Sequence, residues 1–471
     1  MSFIDPEFFC FLGLFFLGAA TLSNNTRLWF YVFMSYLFYS VAYPPYVILL
    51  FLITLINFYS AKGMNAVSRQ SIRSLILIVG VGASLSLLVY FKYATWLMST
   101  LSNILFRLSV DISLPVPKPN LPVGISFFTF QALSYSIDVY RRQSEPAKSF
   151  QKFICFVAFF PQLVAGPIVR SREFLPQIPF HRPFERENTI RGLELVFLGY
   201  FKKCVIADNL ANTVDNVFLS VNSVSGIVMW FGVLCFAVQI YCDFSGYSDI
   251  ARGLGRILGF KIPINFRWPY LSISIQEFWR RWHITLSFWI RDYIYISLGG
   301  SRVPISRYLF NMMITWLLCG LWHGANITFV FWGLYHGCLL TFSRITEHTC
   351  LGRIWKQMPE LVRISWTFLL VLVGWALFRS PNLRVAQSAL AKMLIPSGDF
   401  FFNWQSIMLP LILLTMAGSV HMFFSYFNYD IDNKSLLVKM PWVVRIFLIG
   451  ITVLTIVILA GQQERFIYFA F

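Results

Sequence analysis

Two histidines stand in unusual company. His323 lies within Gly320-Leu321-Trp322-His323-Gly324-Ala325-Asn326, and His283 closes Arg280-Arg281-Trp282-His283 about forty residues earlier. An imidazole set among aromatic and aliphatic residues at bilayer depth is costly to charge, and ionisable residues placed there mark functional sites. Kept neutral by burial, it is a competent general base toward a hydroxyl group. The competing reading is a hydrogen-bonded packing residue. The small neighbours Gly320, Gly324 and Ala325 leave room for a substrate at His323, which favours chemistry.

The surrounding residues are less decisive. Gln276 to Tyr293 reads as one helix, with Phe278, Trp282, Thr285 and Trp289 on one stripe and Glu277 and Arg281 as an i,i+4 pair on another. Snorkelling arginines and interfacial tryptophans explain much of that texture, but not His283. In Asp243-Phe244-Ser245-Gly246-Tyr247-Ser248-Asp249 the two carboxylates fall on different helix faces, which disfavours a carboxylate dyad. A helix broken at Ser245-Gly246 is expected, its aspartates capping the new N-terminus or pairing Arg252. His181 and His348 sit in loops and His421 near a span end, whereas His336 is intramembrane. The eight cysteines form no Cys-x-x-Cys pair and read as small core residues, with no disulfide frame or metal site expected. Neither a Gly-x-Ser-x-Gly elbow nor a His-Glu-x-x-His, P-loop or dinucleotide-binding pattern occurs.

Holding such residues in place requires helices in lipid. Of 471 residues, 57% are hydrophobic and 13% charged, against roughly a quarter charged in soluble domains. The composition predicts an all-α, polytopic helical membrane protein. Apolar stretches of about the length that crosses roughly 30 Å of hydrocarbon fall at 8–22, 28–43, 46–60, 73–91, 123–140, 151–168, 190–206, 226–242, 307–322, 326–343, 365–379, 406–427 and 443–461. That gives about 10 to 13 membrane helices, some short or re-entrant. The whole chain, 1–471, is expected to form one membrane-embedded domain, with its chemistry in the proline-punctuated middle, about 121–343. The net charge of +17 is scattered through short loops, as positive-inside loops facing anionic headgroups require, and no nucleic-acid partner is expected. Lys62, Arg69 and Arg73 put the loop between the third and fourth spans in the cytoplasm and the N-terminus outside. Phe8 to Leu22 is expected as a retained first span instead of a cleaved signal.

Five segments in order carry a resemblance. Leu121-Pro122-Val123-Gly124-Ile125-Ser126-Phe127-Phe128, Phe160-Pro161-Gln162-Leu163-Val164-Ala165-Gly166-Pro167, Asp243 to Asp249, Glu277 to His283 and Leu321 to Ala325 together resemble the bacterial branch of the membrane-bound O-acyltransferase family. The likeness is nearest to the members that serve alginate O-acetylation, and it reaches the closing Arg465 to Phe471. It implies that His323 matches the family's essential intramembrane histidine and His283 its second active-site position. Trp322, Asn326, Arg280, Arg281, Trp282 and Asp243 would then line the substrate. The resemblance also implies a helical fold with a central funnel, where a cytoplasmic acyl donor, acetyl-CoA or an acyl carrier, meets an acceptor path from the other side of the cell inner membrane. No tightly bound cofactor and no metal are expected. No Gly-Asp-Ser pattern of an acetyl-ester enzyme occurs here, so an extracytoplasmic acetyl-esterase-like acyltransferase partner would complete transfer to an exported polysaccharide such as alginate. Ser301 and Ile327 depart from the family pattern, which bears on donor or acceptor fit. D-alanyl transfer to a cell-wall polymer shares the fold. A proton-coupled transporter or flippase of an acylated carrier is the reading from another class, and it would call for paired acids at span centres.

Overall fold

The structure, a computed structural model, describes residues 1–42, 44–110, 114–395, 404–426, 435–462, 464 and 466–467. Among the described residues there are helices, turns and loops and no strand. Two compact units emerge, Met1–Gly192 with Leu254–Pro263, and Leu193–Gly253 with Ile264–Phe471.

The first unit contains α1 (Pro6–Thr21), α2 (Asn24–Ala42), α3 (Tyr46–Ala66), α4 (Gln70–Arg107), α5 (Ile125–Tyr140), α6 (Phe150–Ala158), α7 (Phe160–Leu163) and α8 (Ser171–Phe174), followed by a 3-10 turn at Leu175–Phe180. Helix α1 packs on α2, α3 on α4 and α5, and α6 on α2. Phe8, Phe11, Phe15 and Phe38 each approach the Phe160 ring, at centroid distances of 4.8 to 6.3 Å. Helices α3, α4 and α5 are also tied by buried polar groups. Asn57 Nδ2 donates to Ser84 Oγ (3.0 Å) and Ser136 Oγ donates to Asn57 Oδ1 (2.7 Å), satisfying side chains that hydrocarbon would leave without partners.

Proline explains the next break. Pro161 has no N–H to continue the ladder, and α6 stops at Phe159, with φ −54° and ψ 110°. The carbonyl of Phe156, freed by that stop, accepts from both Gln131 Nε2 (2.7 Å) and Gln162 Nε2 (2.8 Å), while the Phe160 N–H donates to Ser35 Oγ (3.1 Å). Gly124, at φ +78°, starts α5 where a Cβ would stand 2.9 Å from the Val164 Cα. The segments around 121–132 and 160–168 therefore lie against each other.

In the second unit the end of α9 (Arg186–Tyr200) runs on as a π turn (Phe201–Ala207) into α10 (Asp208–Leu219). The order then continues through α11 (Gly226–Ile257), α12 (Ile275–Arg281), α13 (Ile284–Ile290), α14 (Ile305–His323), α15 (Ile327–Thr346), α16 (Cys350–Gln357), α17 (Glu360–Arg379), α18 (Leu383–Leu394), α19 (Trp404–Tyr426), α20 (Leu436–Lys439) and α21 (Trp442–Leu459). Helices α14 and α15 meet backbone to backbone. A Cβ on Gly320 would come within 2.2 Å of the Phe329 carbonyl oxygen, and one on Gly333 within 2.2 Å of the Trp316 carbonyl oxygen. This is the close approach that small residues permit between helices in lipid.

The helix break expected at Ser245-Gly246 does not occur, because α11 runs unbroken from Gly226 to Ile257. Gly246 instead serves as a crossing point, its absent Cβ making way for the Gly199 carbonyl at 2.8 Å.

Among the described residues, five helices are long and apolar enough to cross a membrane, namely α3, α4, α11, α17 and α21, and two shorter apolar helices are α1 and Ile407–Phe423 within α19. The other expected spans are helical over most of their described length. The segment 151–168 holds α6 and the four-residue α7 and leaves the helix after Leu163, and 190–206 ends in the π turn. Residues 43 and 427, at the ends of two expected spans, lie outside the described residues, as does most of the Arg465 to Phe471 stretch. Helix α21 has no buried residue at all, the pattern of a helix bathed in lipid.

Candidate active site

His283 stands at a corner, not in mid-helix. Ser274 caps α12 by accepting from the Glu277 N–H (3.2 Å), and Glu277 reaches back to the Ile273 N–H (2.8 Å), close to a reciprocal capping box. The helix lasts only to Arg281. At His283 the backbone turns left-handed, φ 41° and ψ 54°, before α13 begins. The single helix expected over 276–293 is therefore two short helices and a π turn (Arg291–Tyr295). A non-glycine residue in that region is held against its own preference, a strain that clusters at functional sites. The neighbouring loop supplies the restraint. Arg267 N–H donates to the Arg281 carbonyl and Ile284 N–H to the Asn265 carbonyl, each at 2.9 Å.

Asn265 also fixes the imidazole. Its Oδ1 is 3.2 Å from the Thr285 backbone N–H and 3.0 Å from Thr285 Oγ1. A backbone N–H can only donate, so this atom is the amide oxygen and not the NH2. The same oxygen lies 3.1 Å from His283 Nδ1, so Nδ1 carries the proton. In the neutral ring Nε2 is then the nitrogen with the lone pair. His283 is 1% exposed and lies edge-on to Phe244 at 4.7 Å.

His323, the last residue of α14, is held differently. It is 3% exposed and boxed by rings, with Trp322 and Trp332 at 4.9 Å, Phe378 at 5.2 Å and Phe329 at 6.5 Å. Trp322 also meets His283 at 5.8 Å, so one indole touches both imidazoles. A third histidine joins from the other side. His336 lies 5.0 Å from Trp332, and its Nδ1 accepts from Trp279 Nε1 at 3.3 Å.

The remaining expected site residues are placed as follows. Trp282 is buried against Trp375 (4.8 Å) and Phe266 (5.0 Å). Arg281 pairs with Glu277 as its spacing suggests, and Arg280 is exposed. Asn326 caps α15 through the Thr328 N–H (3.1 Å) and donates to the Pro381 carbonyl (2.7 Å). Asp243 accepts from Lys203 Nζ (2.7 Å) and the Ile467 N–H (2.9 Å), and Lys203 also bonds Asp208 (2.7 Å). That buried trio fastens the chain's end to α11. Asp249 bonds Lys202 (2.7 Å) and, as expected for one alternative, Arg252 (3.1 Å). The glycines beside His323 do not leave open space. Gly320 is filled by the backbone of α15, and a Cβ on Gly324 would fall 2.3 Å from the Phe329 ring.

Sequence reasoning missed Asn265 and Thr285, and it set His336 apart from the site. Of these only His336 carried a signal, its intramembrane position. The assembled cluster offers an imidazole of fixed tautomer and a second imidazole in an aromatic enclosure. Such an arrangement suits proton removal from a hydroxyl and hydrogen bonding to a carbonyl where water is excluded.

Multiple apolar helices and intramembrane imidazoles of this kind define a multi-pass membrane enzyme. Residues 125–382 match the family described as MBOAT, membrane-bound O-acyltransferase family. The chain is 40% identical to a protein of Pseudomonas aeruginosa named "Probable alginate O-acetylase AlgI", over 80% of this chain and 70% of that one. It is 34% identical to the peptidoglycan O-acetyltransferase of Helicobacter pylori, over 83% and 80% of the two chains. A more remote likeness, 27% identity over 44% of this chain and 57% of the other, runs to the teichoic acid D-alanyltransferase of Bacillus subtilis. The chain belongs to the membrane-bound O-acyltransferase family, and it is an acyltransferase.

Proposed function

We propose that this enzyme takes acetyl from acetyl-CoA at the cytoplasmic face of the inner membrane and passes it across for O-acetylation of an exported polysaccharide such as alginate. The donor is cytoplasmic and the acceptor is not, and a reaction centre at bilayer depth answers that difficulty. The observation that carries the reading is the pair of buried imidazoles, His283 and His323, sharing the Trp322 ring. His323 acts as general base or transient acyl carrier. His283 orients the acceptor, its Nε2 lone pair accepting from the hydroxyl, whereas polarising the acyl carbonyl, the other role expected for it, takes an N–H that this tautomer spends on Asn265. The basic residues Lys62, Arg69 and Arg73, at and beside the α3–α4 turn, face the cytoplasm and the N-terminus faces outward. A separate extracytoplasmic esterase-like acyltransferase completes the transfer.

D-alanyl transfer is less well supported, since that likeness covers under half of the chain. The deciding experiment measures ester acetate on the producer's exopolysaccharide with and without this gene. Loss of acetate on deletion, restored by the gene, is the expected result. Unchanged acetate, or loss of ester-linked D-alanine from the wall instead, would overturn the assignment.

A further inference from the structure

A second polar cleft lies in the first unit, well separated in sequence from the histidine motifs. It has a volume of about 730 Å³ and is lined by Asn24, Arg27, His181 and Arg182 together with apolar residues, and no lining residue is acidic. Arg27 is held in place by neutral oxygens. Its Nε and Nη2 donate to the Leu22 carbonyl (3.1 and 2.7 Å) and its Nη1 to Asn24 Oδ1 (3.3 Å). These bonds orient the guanidinium without cancelling its charge and leave two of its five N–H groups over.

His181 contributes the second element. It is 7% exposed and stacks on Phe260 at 4.9 Å. Its Nδ1 meets the Ile178 carbonyl at 2.5 Å, and a carbonyl oxygen can only accept, so Nδ1 donates. Nε2 is buried and has no hydrogen-bond partner. Burial pushes the His181 pKa down, the bond to the Ile178 carbonyl raises it in part and Arg27 lowers it further; an anion in the cleft would oppose the burial and the arginine. Exposed Arg182 is set at the mouth because its backbone rests on Gly259, at φ +84°, where a Cβ would stand 2.6 Å from the Arg182 nitrogen. A left-handed glycine there is what lets the arginine sit so close.

The geometry points to this cleft as a binding site for a phosphate-bearing molecule, either an anionic lipid headgroup or the phosphates of a nucleotide. Two guanidinium groups with unspent donors and an amide match a group with several acceptor oxygens and net negative charge, and Nε2 of His181 joins them as a donor once the anion has drawn a proton onto the ring. A zwitterionic headgroup would gain little. The site does not depend on acetyl-CoA being the donor.

The test uses the full-length protein in a neutral detergent and three probes, dihexanoyl-phosphatidylglycerol, dihexanoyl-phosphatidylcholine and adenosine 3′,5′-bisphosphate, with binding followed by titration. Saturable binding of phosphatidylglycerol but not phosphatidylcholine identifies a lipid headgroup, and binding of the bisphosphate identifies a nucleotide. In either case Arg182→Gln and Arg27→Gln should each weaken binding about tenfold, the scale of a lost charge-assisted hydrogen bond. Arg27→Lys, which keeps the charge but loses the guanidinium fork, should bind more tightly than Arg27→Gln and less tightly than wild type. Because Arg27 also ties the α1–α2 turn, Arg182→Gln keeps the test meaningful if Arg27→Gln fails to accumulate. Failure of both anions to saturate the wild type, or equal affinity in Arg182→Gln and wild type, would overturn the proposal and leave the acyl-transfer reading untouched.

Discussion

His283 and His323 are both buried but stand in different surroundings. At His283 the restraint is polar and directional, with a strained backbone corner and an Asn265 oxygen that receives the imidazole and both Thr285 donors. At His323 four aromatic rings surround a side chain at the end of a helix. Hydrogen bonds select a tautomer and a direction, and that suits a group that must present one lone pair to an acceptor hydroxyl. Rings around the imidazole exclude water, which suits a group that takes up and gives back a proton or an acyl group.

The largest expected effect is at the packed histidine. His323→Ala should slow polymer acetylation by roughly 10² to 10⁴, the loss for removing a general base, while the protein inserts and accumulates as wild type. Wild-type ester content in that variant would remove His323 from the chemistry. A smaller effect is expected at the oriented histidine. His283→Ala should cost roughly 10² in kcat, the lower end of the loss for removing a positioned proton acceptor, whereas His283→Asn should keep partial activity, because an amide can still hydrogen-bond the substrate. Equal rates in all three proteins would reduce His283 to a packing residue. The smallest effect belongs to the positioning residue. Asn265→Ala should lower kcat about tenfold with KM little changed, since it frees the imidazole to rotate and leaves buried donors without their acceptor. A change confined to thermal stability would mean that Asn265 only supports the fold.

How much of this was legible beforehand depends on range. Helices in lipid, the two histidines and the Glu277–Arg281 pair follow from composition and local spacing. The corner at His283 does not, because the apolar stripe from Phe278 to Trp289 continues through it, and nothing in propensity announces a left-handed histidine. Ser274 three residues before Glu277 does mark where α12 starts. The glycines misled in a consistent way. Gly246, Gly320 and Gly324 look like breaks or vacancies in the sequence, yet each is filled by a distant carbonyl or ring. Asn265 was illegible for the same reason, since a loop asparagine acquires its role only when α12 and α13 fold beside it.

The most direct test of the central claim uses purified protein in detergent, with no membrane potential or gradient. Wild type should hydrolyse acetyl-CoA slowly, water standing in for the absent acceptor, and the activity should vanish in His323→Ala. If pure wild type neither binds nor cleaves acetyl-CoA, the account of a midplane histidine acting on that donor is contradicted.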